Sequence, residues 1–133
     1  MKVKIFLGFW RCYMSCMQAA RSPQERPTIS PPAGLKDLLD IVRKEIGPIE
    51  VWLFGSRARG DDRPESDWDL LLVVADDTRL DVDDPVLPWR VAKKSGVPST
   101  LLLTRKSDLD EVWGRVNTLG YDLAREGLRI DVR

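Results

Sequence analysis

Apolar residues after position 34 follow two periods, one typical of helices and one typical of strands. The first set recurs at the spacing of one helix face and comprises Leu35, Leu38, Leu39, Val42 and Ile46. Gly47-Pro48 ends this predicted helix, because glycine permits a turn and proline lacks the N–H donor that a helix needs. Residues 49–54 and 70–74 are short apolar runs that predict strands. The second run is nearly continuous, as in a central strand that is covered on both faces.

The remaining pattern predicts alternating helical segments and strands: helical segments at residues 57–59, 85–95, 107–116 and 119–125, and strands at residues 99–104 and 128–132. Ser107 is expected to cap its helix with a hydroxyl group, and the last strand is expected at an edge of the sheet. This order predicts a single α/β (α+β) domain over residues 35–133, with helices packed on a mixed β-sheet.

Residues 1–34 differ from the rest of the chain. A basic start and a short apolar run are interrupted by Arg11, and a stretch with four prolines follows. We expect a poorly ordered N-terminal extension that ends in a Pro-rich linker. A secretory signal and a packed helix stay open as alternatives, whereas the apolar run is too short for a transmembrane helix.

Composition excludes several classes of chemistry. The chain has 133 residues, a formal net charge of zero and no histidine, so histidine ligands and Ser-His-Asp triads are excluded. Cys12 and Cys16 are the only cysteines, and they fit neither a zinc site nor a disulfide scaffold. A cytoplasmic protein without a membrane partner is expected. The neutral charge makes nucleic acid a poor partner except as an acceptor of transfer.

Candidate chemistry lies where two predicted strands meet. Gly55-Ser56 follows the first strand, and Asp67 and Asp69 open the second. Since side chains alternate along a strand, the two carboxylates share a face and Trp68 lies on the other. Two carboxylates on one face repel each other unless a cation neutralises them, and Mg²⁺ commonly binds one or two carboxylates together with phosphate oxygens. The pattern therefore indicates a site for a metal-bound triphosphate.

The Gly-Ser-Arg-Ala-Arg-Gly run, followed by Ser-Asp-Trp-Asp-Leu, resembles the signature of the minimal nucleotidyltransferase (MNT) branch of the DNA polymerase β-like superfamily. The resemblance implies transfer of a nucleoside monophosphate, with AMP from ATP expected, to an acceptor hydroxyl with the help of Mg²⁺ or Mn²⁺. It implies that Gly55 and Ser56 bind the β- and γ-phosphates and that Asp67 and Asp69 bind the metal. Arg57 and Arg59 either neutralise the triphosphate or lie on a solvated helix face.

One residue departs from the family pattern. Where similar proteins place a third carboxylate on the next core strand, this chain has Thr100. A hydroxyl brings no charge and cannot act as a carboxylate base, so two functions stay open: an active nucleotidyltransferase, or a catalytically impaired protein that binds nucleotide and a partner. Asp108, Asp110 and Glu111 follow soon after and are interpreted as helix-start acids rather than as a relocated ligand.

The resemblance also implies a class of partner. Small members of the MNT branch often act as antitoxins that adenylylate a toxin of the HEPN class, and here such a toxin would be a separate chain. Oligomers of the chain itself also stay open. The tryptophans at positions 52, 68, 89 and 113 are expected in the core, with adenine stacking as the alternative.

Overall fold

The computed structural model describes residue 23 and residues 27–132. The strands are β1 (Thr28–Ile29), β2 (Glu50–Phe54), β3 (Trp68–Val74), β4 (Ser99–Arg105) and β5 (Leu128–Ile130). The helices are α1 (Lys36–Glu45), α2 (Ser56–Arg59), α3 (Val86–Ser95), α4 (Lys106–Val112) and α5 (Leu119–Glu126), and a 3-10 turn, Ala33–Leu35, precedes α1. The predicted α/β architecture is confirmed.

The five strands form one mixed sheet in the order β1-β5-β2-β3-β4. β2 pairs antiparallel with both β3 and β5, whereas β3–β4 and β1–β5 are parallel. Because parallel strands need a crossover, α3 connects β3 with β4 and covers one face of the sheet. β3 thus lies between two neighbours, as the continuous apolar run predicted.

Alternation along β3 separates two apolar cores. Leu70 and Leu72 lie on the face covered by α1 and α3, where the ring of Trp68 packs against the same cluster. Leu71 and Val73 lie on the opposite face, with residues from α4 and α5. Asp69 follows the parity of Leu71, so the prediction that Trp68 faces away from Asp69 is confirmed, whereas Asp67 precedes the first residue of β3.

Three local predictions are wrong. The last strand is not an edge strand, because β1 pairs with its outer side. The helix after β4 ends at Val112 rather than at Val116, since Trp113 leaves the helical conformation at ψ 122° and Gly114 follows with a positive φ angle. Its cap is not Ser107: the amide of Ser107 donates instead to the carboxylate of Asp76, at 2.8 Å.

Most of the predicted N-terminal extension lies outside the described residues, as do Cys12 and Cys16. Within the Pro-rich stretch, Thr28 and Ile29 form β1, a contribution to the sheet that the sequence did not predict. Trp52 is fully buried, whereas Trp89 is 60% exposed, so a core position for Trp89 was a wrong prediction. In the described part of the chain, none of the helices has the length and apolar character that a membrane crossing requires.

Candidate active site

The site begins at the sharp turn between β2 and α2. Gly55 has φ +76° and ψ −158°, a conformation that is almost restricted to glycine. α2 starts at the next residue, Ser56. In its first turn the amides of Ser56 and Arg57 have no acceptor within the helix, so they are available for an anion.

Asp69 lies directly over this turn. In the β2–β3 ladder Asp69 is opposite Phe54, the last residue before Gly55. A Cβ atom built on Gly55 would lie 3.1 Å from Asp69 Cγ and closer still to Asp69 Oδ2. Only a residue without a side chain leaves room for the carboxylate here, so the glycine and the acid form one unit.

Asp67 and Arg59 act on the same carboxylate. Burial, and then the negative charge of Asp67, raise the pKa of Asp69 above its ordinary value, and the nearby charge of Arg59 lowers it in part. The two acids that the sequence placed on one face therefore interact. Among residues 27–132 neither carboxylate takes part in a hydrogen bond or an ion pair. The pair has the negative charge, and the lack of competing partners, that a bound cation requires.

Thr100 is next to Asp69 across the parallel ladder, because the β3–β4 register pairs these two residues. Residues paired in this way point to the same face of a sheet. Thr100 thus lies beside Asp69, at the position where the family resemblance implied a third carboxylate, and it supplies a neutral hydroxyl. Asp108 and Asp110 belong to α4 at the far end of β4, where Asp110 pairs with Lys106, so they do not replace the missing acid.

Arg59 is held at the margin of the site by two acids. Its guanidinium pairs with Asp61 and with Glu126 of α5, each at 3.2 Å, and the hydrogen bond to Asp61 is the main reason why the pKa of Arg59 is raised. The side chain is 45% exposed. Since these pairs are close to solvent, a triphosphate could compete for the guanidinium at little cost.

Arg57 has a different environment. Its Nε and Nη2 atoms donate to the carbonyl of Ser66 at 3.1 and 2.8 Å, Nη2 also reaches the carbonyl of Pro64 at 3.2 Å, and Nη1 pairs with Asp62 at 3.0 Å. The guanidinium lies 4.2 Å from the ring centroid of Trp68. Arg57 thus fixes the loop that leads into Asp67, a role the sequence did not indicate. Its predicted contact with phosphate stays a prediction.

Removing this clamp should loosen the loop. In an Arg57→Met chain, we expect amide hydrogen exchange over residues 61–66 to accelerate by about tenfold or more, because hydrogen bonds from a charged donor are worth roughly 1.5–3 kcal/mol. Exchange in β3 should not change. An Arg63→Met chain removes a charge from the same loop without removing the clamp, and it should exchange like the wild type. Equal acceleration in both variants would contradict the assignment.

The donor set fits a hard divalent cation, provided that the substrate completes it. The described residues contain no group of three His, Cys, Asp or Glu side chains that could hold a metal ion. Two carboxylates and a hydroxyl are, however, oxygen donors of the kind that Mg²⁺ takes together with phosphate oxygens and water. Burial, and then the charge of Asp67, raise the pKa of Asp69, and a bound cation would offset both unfavourable effects on the charged carboxylate.

The family to which the chain is similar covers the residues of the candidate site. The profile of the nucleotidyltransferase domain family matches residues 35–124, a range that contains every predicted site residue from Gly55 to Thr100. The curated proteins gave no match. Among solved structures, a toxin-antitoxin crystal structure with AMP-PNP is similar at 18% identity and a TM-score of 0.47, over 71% of this chain and 69% of that one. A Sulfolobus solfataricus protein assigned as a nucleotidyltransferase is similar at 21% identity and a TM-score of 0.42, over 75% and 78% of the two chains.

Proposed function

The chain belongs to the nucleotidyltransferase domain family, and we propose on that basis that it transfers a nucleoside monophosphate from a nucleoside triphosphate to an acceptor hydroxyl. AMP is the proposed group and ATP the proposed donor. The observation that carries the proposal is the packing of the Asp69 carboxylate on Gly55, with the charge of Asp67 near enough to add to the effect of burial in raising the pKa of Asp69.

Each residue has a proposed role in that reaction. The amides of Ser56 and Arg57 bind phosphate oxygens, and Arg59 adds positive charge at the margin. Asp67 and Asp69 hold Mg²⁺ or Mn²⁺. When bound, such an ion stabilises charge on the phosphoryl oxygens and favours the deprotonated acceptor hydroxyl. The acceptor oxygen forms a bond to the α-phosphorus, the bond to pyrophosphate breaks, and the hydroxyl proton leaves to solvent or to a carboxylate.

A second function is favoured by Thr100. Its register beside Asp69 puts a neutral group where the metal site would gain its third charge. A protein with this substitution could bind a metal–nucleotide complex and a partner without turnover. The MNT resemblance supports a separate HEPN-type toxin as that partner in either case. Purification of the chain from cells that co-express such a toxin tests this point, and failure of the two to co-purify would count against the antitoxin role.

The experiment that separates the two functions is labelling. The full chain is incubated with each α-³²P-labelled nucleoside triphosphate, Mg²⁺ or Mn²⁺ and candidate acceptors. Label that depends on metal and transfers to a protein or to RNA would support the enzyme. Metal-dependent nucleotide binding without transfer would support the binding protein. Absence of both would reject each function.

Thr100→Asp provides a direct test of the missing acid. Because the side chain at position 100 lies next to Asp69 on the same face, a carboxylate there should strengthen metal binding, and we expect metal-dependent transfer to rise by about tenfold or more. Ser107→Asp adds the same charge at an exposed position in the first turn of α4, at the end of β4 far from the acids, and should give no gain. A Thr100→Asp chain no more active than wild type would show that the hydroxyl does not limit the reaction.

A further inference from the structure

The outer edge of β4 is unpaired among residues 27–132, since β4 ends the strand order of the sheet. The amide of Trp68 donates to the carbonyl of Pro98 at 3.0 Å. In a parallel pair of strands every second residue of each strand bonds with the other strand. Because Pro98 bonds with β3, the even-numbered residues of β4 also turn their N–H and C=O groups towards β3. The backbone groups of Leu101 and Leu103 consequently point away from the sheet.

This edge lacks the devices that usually prevent strand pairing. From Ser99 to Thr104 it carries no charge, no proline and no bulge. Leu102 is 41% exposed on the face of the acids, and Trp89 of α3 is 60% exposed on the other side of the edge. Both line a cleft of about 590 Å³ that follows the strand. An apolar edge of this length is typical of a surface that is covered by another chain.

The sequence of the β4 edge is palindromic. Residues 100–104 read Thr-Leu-Leu-Leu-Thr, which is the same in both directions about Leu102. We propose that β4 pairs antiparallel with β4 of a second copy, about a two-fold axis through Leu102. Each Leu101 then exchanges two backbone hydrogen bonds with Leu103 of the second copy, which uses the outward groups. Each Thr100 lies opposite Thr104 of the second copy, and such Thr–Thr pairs are favourable across strands.

Charges next to the edge suit the same arrangement. α3 runs antiparallel to β4, because only residues 96–98 connect the end of the helix with the start of the strand. Asp83 and Asp84 precede α3, and Lys93 is in its last turn. A two-fold axis sets the acidic start of α3 in one copy beside the basic end of α3 in the other. A second copy is therefore favoured over an unrelated polypeptide as the occupant of the edge.

The pairing has a consequence for the candidate site. The two sheets become one continuous sheet in which both acid pairs lie on the same face. Thr104 of each copy faces Thr100 of the other, so the interface borders the position of the missing carboxylate. This inference does not depend on whether the protein transfers nucleotide.

Mass and cross-linking of the full chain test the pairing. Sedimentation should give twice the 15.2 kDa mass of the chain. In a Cys12→Ser/Cys16→Ser background, Leu102→Cys should form an intermolecular disulfide on mild oxidation, because residues facing each other in a pair that shares no hydrogen bond have Cα atoms about 4.5 Å apart. Thr104→Cys alone should not cross-link to itself, but it should cross-link to a Thr100→Cys chain mixed with it.

Controls make the outcome decisive. Val116→Cys carries its cysteine at another exposed apolar position, 68% exposed, and should stay uncross-linked. Leu102→Lys puts two like charges on the axis and should give a folded monomer, with its fold checked by circular dichroism. A monomeric wild type would overturn the proposal, whether its edge is bare or occupied by other residues of the chain. A dimer in which Leu102→Cys fails to cross-link, or in which Thr104→Cys links to itself, would overturn it equally.

Discussion

An Asp69→Asn chain is expected to lose metal-dependent nucleotidyl transfer. The rate should fall by more than the roughly 10- to 100-fold that is typical when a residue that only supports a metal ligand is mutated, because Asp69 is proposed to bind the metal directly. The amide keeps the shape of the side chain and its place over Gly55, but it removes the charge that would hold the ion. Initial rates with labelled nucleoside triphosphate, at saturating Mg²⁺ and then at saturating Mn²⁺, measure the loss. An Asp108→Asn chain, changed in the first turn of α4 at the far end of β4, should retain the wild-type rate.

The same substitution should not weaken the fold. Burial and Asp67 raise the pKa of Asp69, so the native state disfavours the charged carboxylate more than the unfolded chain does. The contribution of this group to stability is therefore greatest below the unfolded pKa and decreases as pH rises through the raised native pKa. At a pH above the raised native pKa, asparagine removes the free-energy cost of the buried charged carboxylate. The Tm of the nucleotide-free variant should therefore equal or exceed that of the wild type. A variant that is both inactive and less stable would indicate a structural role instead.

Gly55→Ala is expected to lose transfer as severely, for a steric reason. The new methyl group would overlap the carboxylate of Asp69, and the backbone would remain in a conformation that costs a non-glycine residue of order 1–3 kcal/mol. Asp69 must move or the turn must open, and either change separates the acids from the phosphate-binding amides. Transfer assays and thermal unfolding of the same preparation measure both effects.

Gly60→Ala is the matched control for this prediction. Gly60 also has a positive φ angle, +84°, but a Cβ atom built there meets nothing within 4 Å. The control should therefore lose stability from backbone strain alone and keep its activity. If both variants lose activity to the same degree, the contact between Gly55 and Asp69 is not what positions the acid.

Much of the fold could be predicted because its signals are local. The helix face from Leu35 to Ile46, the Gly47-Pro48 stop that follows it and the continuous run of β3 each act within a few residues, and each predicted element exists. The wrong predictions occur where a residue far away in the sequence determines the structure of a segment. β1 converts a predicted edge into an inner strand, and Asp76 replaces Ser107 as the cap of α4. Neither partner can be inferred from the pattern of the segment that it completes.

The candidate site shows the same division. Alternation along β3 predicted that Asp67 and Asp69 share a face, and the family resemblance implied that position 100 belongs to the same site; the register places Thr100 beside Asp69. The contact of Arg59 with Glu126 spans 67 residues of sequence and has no local signal. Buried Glu50, which accepts from the Trp52 indole at 3.0 Å and pairs with Lys106 at 3.2 Å, was likewise not predicted, because its neighbours along the chain are apolar.

The clamp formed by Arg57 has a thermodynamic consequence. A loop of this kind commonly becomes ordered only when its ligand arrives, and the lost conformational entropy then lowers the affinity. Here the carbonyls of Pro64 and Ser66 are already bound in the ligand-free chain, with the guanidinium held between them and the ring of Trp68. The ordering is completed during folding, so nucleotide binding should proceed without the large heat-capacity and entropy changes of a folding transition.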